Sequence, residues 1–96
     1  MVKLNGLRVE LGEIEAALLA EPGVAEACVV ARQAEGRVLL RGFVVGAATV
    51  PALRAALRSR LPAYMQPGTL QVLEALPRLP GGKVDQMALL DWPLPG

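Results

Sequence analysis

One lysine in this chain stands where it could meet an anion. It closes the run Leu76-Pro77-Arg78-Leu79-Pro80-Gly81-Gly82-Lys83, followed by Val84 and Asp85. Pro77 and Pro80 fix φ and lack an amide donor, so no regular element should run through them. Gly81 and Gly82 let the backbone turn or pass close to a ligand. A short apolar run, Met87 to Leu90, stands behind Lys83. A cation presented on such a loop can reach out of its own domain toward a carboxylate or phosphate. The ordinary alternative is a solvated surface lysine. The run is not a P-loop, which needs a glycine five residues before the second glycine and Ser or Thr after the lysine. Pro77 and Val84 occupy those positions.

Composition restricts the remaining chemistry. Histidine is absent, and the one cysteine, Cys28, has apolar neighbours. The usual Ser–His or Cys–His pairs cannot be assembled within the chain. A Cys/His zinc site and an internal disulfide are excluded on the same count. If catalysis occurs, this chain supplies part of a site. Glu10 and Glu13 read as a solvated face and helix-dipole partners, so no metal site is expected. The formal net charge of +1 gives no argument for a nucleic-acid partner. No apolar run is long enough to cross a membrane, and the N-terminus lacks a signal-peptide pattern. A reduced, cytoplasmic setting without membrane is expected.

The 96 residues suffice for one small domain, residues 1–96. Hydrophobic residues make up 53%, but Phe43, Tyr64 and Trp92 are the only aromatics, so the core must be aliphatic. Asn5-Gly6, flanked by Val2, Leu4, Leu7 and Val9, predicts a hairpin with a tight turn. Leu11, Ile14 and Leu18 share one helical face, and Glu21-Pro22-Gly23 ends that helix. Val24 to Arg32 and Arg37 to Val45 read as a strand pair around a polar turn, with a bulge expected at Gly42. Thr49 is a good N-cap and Pro51 fits a first turn. Leu53, Ala56, Leu57 and Leu61 trace the second helix, with arginines mostly off the stripe. Tyr64 and Met65 are expected to be buried anchors of the connector that follows. Thr69 to Glu74 reads as a third strand, and residues near Gln86 to Leu90 as a short helix.

The expected fold is α+β. A small antiparallel three- to four-stranded sheet carries two helices on one face, with an N-terminal hairpin and a C-terminal loop bearing Lys83. If the second arm of the hairpin joins the main sheet, the order is ferredoxin-like βαββαβ.

Three separated segments share one resemblance. Val2 to Glu15, with Lys3-Leu4-Asn5-Gly6-Leu7-Arg8 at its turn, resembles the eighth core motif of nonribosomal peptide synthetase adenylation domains. Leu61-Pro62-Ala63-Tyr64-Met65-Gln66-Pro67 resembles the ninth, and Gly81-Gly82-Lys83-Val84-Asp85 the tenth. Order and spacing agree across nearly the whole chain. The resemblance implies the C-terminal subdomain, or lid, of such a domain, in the superfamily that includes acyl-CoA synthetases and luciferases. It implies that the N-terminal adenylation subdomain, absent from this sequence, holds ATP, magnesium and the amino or carboxylic acid. It also implies that Lys83 contacts carboxylate and phosphate oxygens while the acyl-adenylate forms. After a lid rotation, the Lys3-to-Arg8 turn would line a tunnel for the phosphopantetheine arm of a peptidyl carrier protein. Lys3 matches a lysine that assists the second half-reaction in some relatives. Asn5, Gly6, Arg8, Gly81 and Gly82 are the accompanying binding positions. The family usually has Arg at position 5, Thr at 79, Asn at 81 and Arg at 86, where this chain has Asn5, Leu79, Gly81 and Gln86.

The fragment alone is expected to be inactive: either an excised lid or a chain whose partner domain is supplied separately. A different class remains open. A stand-alone ferredoxin-like binding module, for example one that docks a carrier protein through the arginine edge of the second helix, would need no catalytic lysine.

Overall fold

A computed structural model describes residues 2–4 and 7–94. The N-terminal hairpin pairs β1 (Val2–Leu4) with β2 (Leu7–Val9), placing Lys3 opposite Arg8. Asn5 and Gly6 lie outside the described residues. Helix α1 (Leu11–Leu19) follows, then β3 (Val24–Ala34) and β4 (Arg37–Gly46). Glu35 and Gly36 both take positive φ between these strands, the backbone a two-residue hairpin turn needs to match strand twist. Helix α2 (Val50–Arg60), a 3-10 turn (Ala63–Met65), β5 (Thr69–Leu73) and α3 (Gln86–Leu90) complete the order.

The α+β class holds, with one correction. The main sheet has three strands in the order β3-β4-β5, and the hairpin forms a separate two-stranded sheet. β3 and β4 are antiparallel, but β5 runs parallel to β4, with Gly42 opposite Leu70. A helix crossing between two strands returns the chain in the same direction. The fully antiparallel ferredoxin-like order needs another strand inserted between such a pair. No arm of the hairpin takes that place, so β4 and β5 meet directly.

The central strand β4 is apolar on both faces, so both must be covered. One face joins Leu40 and Val44 to Ile14 and Leu18 of α1 and Leu53 and Leu57 of α2, with Val9 of the hairpin. Full burial of one such side chain stabilises by about 1.5–3 kcal/mol. The second helix starts as its sequence predicts: Thr49 Oγ1 accepts from the Ala52 amide at 3.4 Å, with Pro51 in the first turn. On the other face Cys28, Val30 and Phe43 pack beneath Leu76 and Leu89 of the C-terminal segment.

The C-terminal segment is held there by Arg41, which is only 3% exposed. Its Nη1 donates to the carbonyls of Leu89 and Leu90, and its Nη2 to Gln71 Oε1 and the Pro93 carbonyl, at 3.0–3.4 Å. Charged donors on four acceptors are the condition under which a guanidinium can be buried. Two local expectations fail. Met65 is buried, but Tyr64 is 40% exposed. Gly42 lies in unbroken register, and the irregularity falls between Val24 and Glu26. The glycine at 42 instead makes room for Leu70, whose Cδ2 would lie 2.6 Å from an added Cβ.

Candidate functional site

The stretch carrying Lys83 is a miniature hairpin. Arg78 and Val84 bridge as an antiparallel pair, and the Asp85 amide donates to the Pro77 carbonyl at 2.8 Å. At the tip, the Gly82 amide donates to the Leu79 carbonyl and the Leu79 amide to the Lys83 carbonyl, both at 2.8 Å. That is a type I turn followed by one left-handed residue, a frequent way to close three residues. Pro80 pre-sets the φ that the first turn position needs, and Gly82 supplies the left-handed one with φ 94°. Gly81 has neither a positive φ nor any atom within 4 Å of an added Cβ. A larger residue there, such as the family's Asn, meets no obstruction.

Lys83 therefore leaves the end of a tightly bonded turn. It is exposed and makes no ion pair among the described residues. It lines a groove of ≈ 730 Å³ together with Leu11, Val30, Leu79, Met87 and Leu90. Leu11 opens α1 just after the hairpin, so the groove runs from the start of that helix to the lysine. Met87 is 73% exposed and Leu79 46%.

Asp85, next to the lysine motif, has a local task. Its Oδ1 accepts from the Ala88 amide at 3.0 Å and caps α3. An Asp directly before an apolar helical run is an N-cap signal that the motif reading passed over. Arg78 was missed for a better reason. Its Nη1 donates to the Gly82 carbonyl at 3.0 Å and its Nη2 to Glu26 Oε1 on β3. Nothing local in the sequence joins residues 26 and 78.

The other predicted residues divide by position. Gly81 and Gly82 share the turn with Lys83. Lys3 and Arg8 face each other in the hairpin register, and Arg8 is exposed. Cys28 is buried, and burial first, with Glu15 adding to it, pushes its thiol up to about 11. A thiol so raised is not a nucleophile near neutral pH. Along the arginine edge of α2, Arg54 donates to the carbonyls of Pro67 and Gly68, and Arg60 pairs with Glu21 at 2.9 Å. Among the described residues no three His, Cys, Asp or Glu side chains group as a metal site, and no helix is long and apolar enough to cross a membrane.

A small α+β domain with one lysine on a proline- and glycine-bounded turn has known counterparts. The family model "AMP-binding enzyme C-terminal domain" matches residues 13–83, ending on Lys83. The chain belongs to that family. It is 47% identical over 95 residues to phosphinothricin tripeptide synthetase PhsC of Streptomyces viridochromogenes, covering 94% of this chain and 9% of that protein. It is 47% identical over 91 residues to tyrocidine synthase 2 of Brevibacillus parabrevis, covering 92% of this chain and 2% of that one. Among solved structures it is similar to a holo four-domain nonribosomal peptide synthetase bound to AMP and glycine. The TM-score there is 0.85 at 32% identity, over 100% of this chain and 7% of that one. A fatty acyl CoA synthetase of Mycobacterium tuberculosis gives 0.81 at 27% identity, over 95% of this chain and 19% of that one. The chain thus spans less than a tenth of these curated relatives. The expected kinship with peptide synthetase adenylation domains stands.

Proposed function

We propose that this chain is the mobile lid of an amino-acid-adenylating domain, and that Lys83 is its catalytic residue. The observation that carries this reading is the placement of Lys83: exposed, without an ion pair among the described residues, at the end of a turn closed by two hydrogen bonds. ATP and the acid sit in a separate N-terminal adenylation subdomain. The lid closes on it, and Lys83 approaches the reacting oxygens. A carboxylate oxygen attacks the α-phosphorus and pyrophosphate leaves. A fixed ammonium beside those oxygens stabilises charge as it develops. Magnesium, like ATP, is bound mainly by the N-terminal subdomain.

The lid then rotates, a gating motion of ordinary kind. The hairpin with Lys3, Asn5, Gly6 and Arg8 replaces Lys83 in the site and lines the path of a carrier protein's phosphopantetheine arm.

Complementation tests this. Wild-type chain and Lys83→Ala are mixed with a matching N-terminal subdomain known to fold and bind ATP, and amino-acid-dependent exchange of labelled pyrophosphate is followed. Restoration by wild type and not by Lys83→Ala is expected. Equal restoration by both removes the catalytic role of Lys83 and leaves the lid. Restoration by neither favours a binding module without catalysis.

A further inference from the structure

We infer that Arg78 is the positioning residue for Lys83, holding it through the Gly82 carbonyl and anchoring it to Glu26 on the sheet. This rests on the reading of Lys83 above. The hydrogen bonds of the miniature hairpin run between its own two arms. They set its shape and leave its place against the sheet open. Among the described residues, the Arg78–Glu26 contact is the one hydrogen bond that ties residues 77–83 to the sheet.

The same guanidinium holds both ends of this link. Nη2 is on Glu26 of β3, beside the register shift between Val24 and Glu26. Nη1 is on the Gly82 carbonyl at 3.0 Å. That carbonyl and the Lys83 amide belong to one planar peptide unit, so gripping the oxygen fixes the direction in which Lys83 leaves the turn. The grip falls at the residue that needs it most, because Gly82 has no Cβ to restrict its backbone.

The chemistry asks for arginine. A planar fork reaches two acceptors in fixed relative geometry, and the single ammonium of lysine does not. The pair is also open to solvent, with side chains 44% and 39% exposed. Exposed pairs contribute little to global stability, so the contact acts on where the loop sits more than on whether the domain folds.

The test uses the complementation assay with Arg78→Ala, Arg78→Lys, Lys83→Ala and the double variant. Arg78→Ala is expected to lower the exchange rate constant about tenfold with KM for ATP unchanged, short of the roughly hundredfold that a 1 Å displacement can cost. Arg78→Lys should recover only part of the loss. Arg78→Ala should add nothing in the Lys83→Ala background, because the two act as one unit. Thioester formation from a preformed aminoacyl-adenylate, a step without Lys83 in this reading, should keep its wild-type rate.

Wild-type exchange in Arg78→Ala beside a defective Lys83→Ala overturns the positioning role and leaves the catalytic one. Full recovery in Arg78→Lys shows that charge suffices and overturns the fork. Equal loss in both half-reactions makes Arg78 a fold-supporting residue only, and a silent Lys83→Ala removes the reading beneath the inference. A second measurement needs no partner domain. In 15N NMR of this chain, Arg78→Ala should loosen the Lys83 amide on the ps–ns scale while amides of β4 and α2 keep their order. An equally rigid Lys83 amide in both proteins overturns the inference.

Discussion

Gly81 and Gly82 are neighbours of the same type, and the structure predicts opposite responses to one substitution. Gly82→Ala puts a Cβ on a residue with φ 94°, where an L side chain costs about 1–2 kcal/mol. No atom crowds that Cβ within 4 Å, so the cost is conformational and not steric. It falls on the turn, whose population relative to open forms should drop about five- to thirtyfold. Gly81→Ala meets no positive φ and no neighbour, and should raise stability by about 0.4–1 kcal/mol through the unfolded chain. Hydrogen exchange reads the difference directly, because the Leu79 amide donates to the Lys83 carbonyl across this turn. Its exchange should quicken about five- to thirtyfold in Gly82→Ala and stay at the wild-type rate in Gly81→Ala. Pyrophosphate exchange in the complementation assay should fall in the first variant alone. Equal behaviour of the two variants would refute the turn geometry, and with it the claim that Lys83 is presented by a single left-handed residue.

Cys28 makes alkaline stability a second test. Its folded thiol lies at about 11 against 9.0 in the unfolded chain. Below pH 9 both states keep the proton. Between pH 9 and about 11 the unfolded chain ionises first, so stability should fall by roughly 3 kcal/mol at most. Denaturant titrations of wild type and Cys28→Ala across that range should diverge, and parallel curves would show that the thiol is not held neutral. Gly42→Ala should cost about 1–3 kcal/mol, because Leu70 Cδ2 must leave a position 2.6 Å from the new Cβ in a packed core. The Leu70→Ala background should absorb most of that loss in a double-mutant cycle, and strict additivity would deny the close approach of β4 and β5. Asp85→Ala should lose about 1 kcal/mol with the α3 cap, a fall in Tm of about 4–8 °C for a domain this size. Asp85→Asn should retain most of it, as calorimetry can check.

Much of this chain is settled locally. The spacing of Ile14 and Leu18, and of Leu53 and Leu57, determines two helices and the face each buries, because a 3.6-residue period allows one apolar stripe. Thr49 with Pro51 starts the second helix, and Asp85 starts the third, through hydrogen bonds that span three residues. Pro80 and Gly82 make the Lys83 turn, since each supplies a backbone angle the turn requires. What tertiary structure decided are relations between distant positions. β5 pairs with β4 directly because no strand is inserted between them, and no property of Thr69 to Leu73 states who the neighbour is. Arg41 looks in sequence like any charge on a strand, and its burial follows from carbonyls some fifty residues later folding over it. Gly42 reads as a bulge until Leu70 of the next strand is placed against it. The link from Arg78 to Glu26 spans 52 residues and is invisible to periodicity, caps or turn chemistry alike. Local rules fix backbone angles and faces, whereas pairing between segments depends on which surfaces remain uncovered once the others have packed.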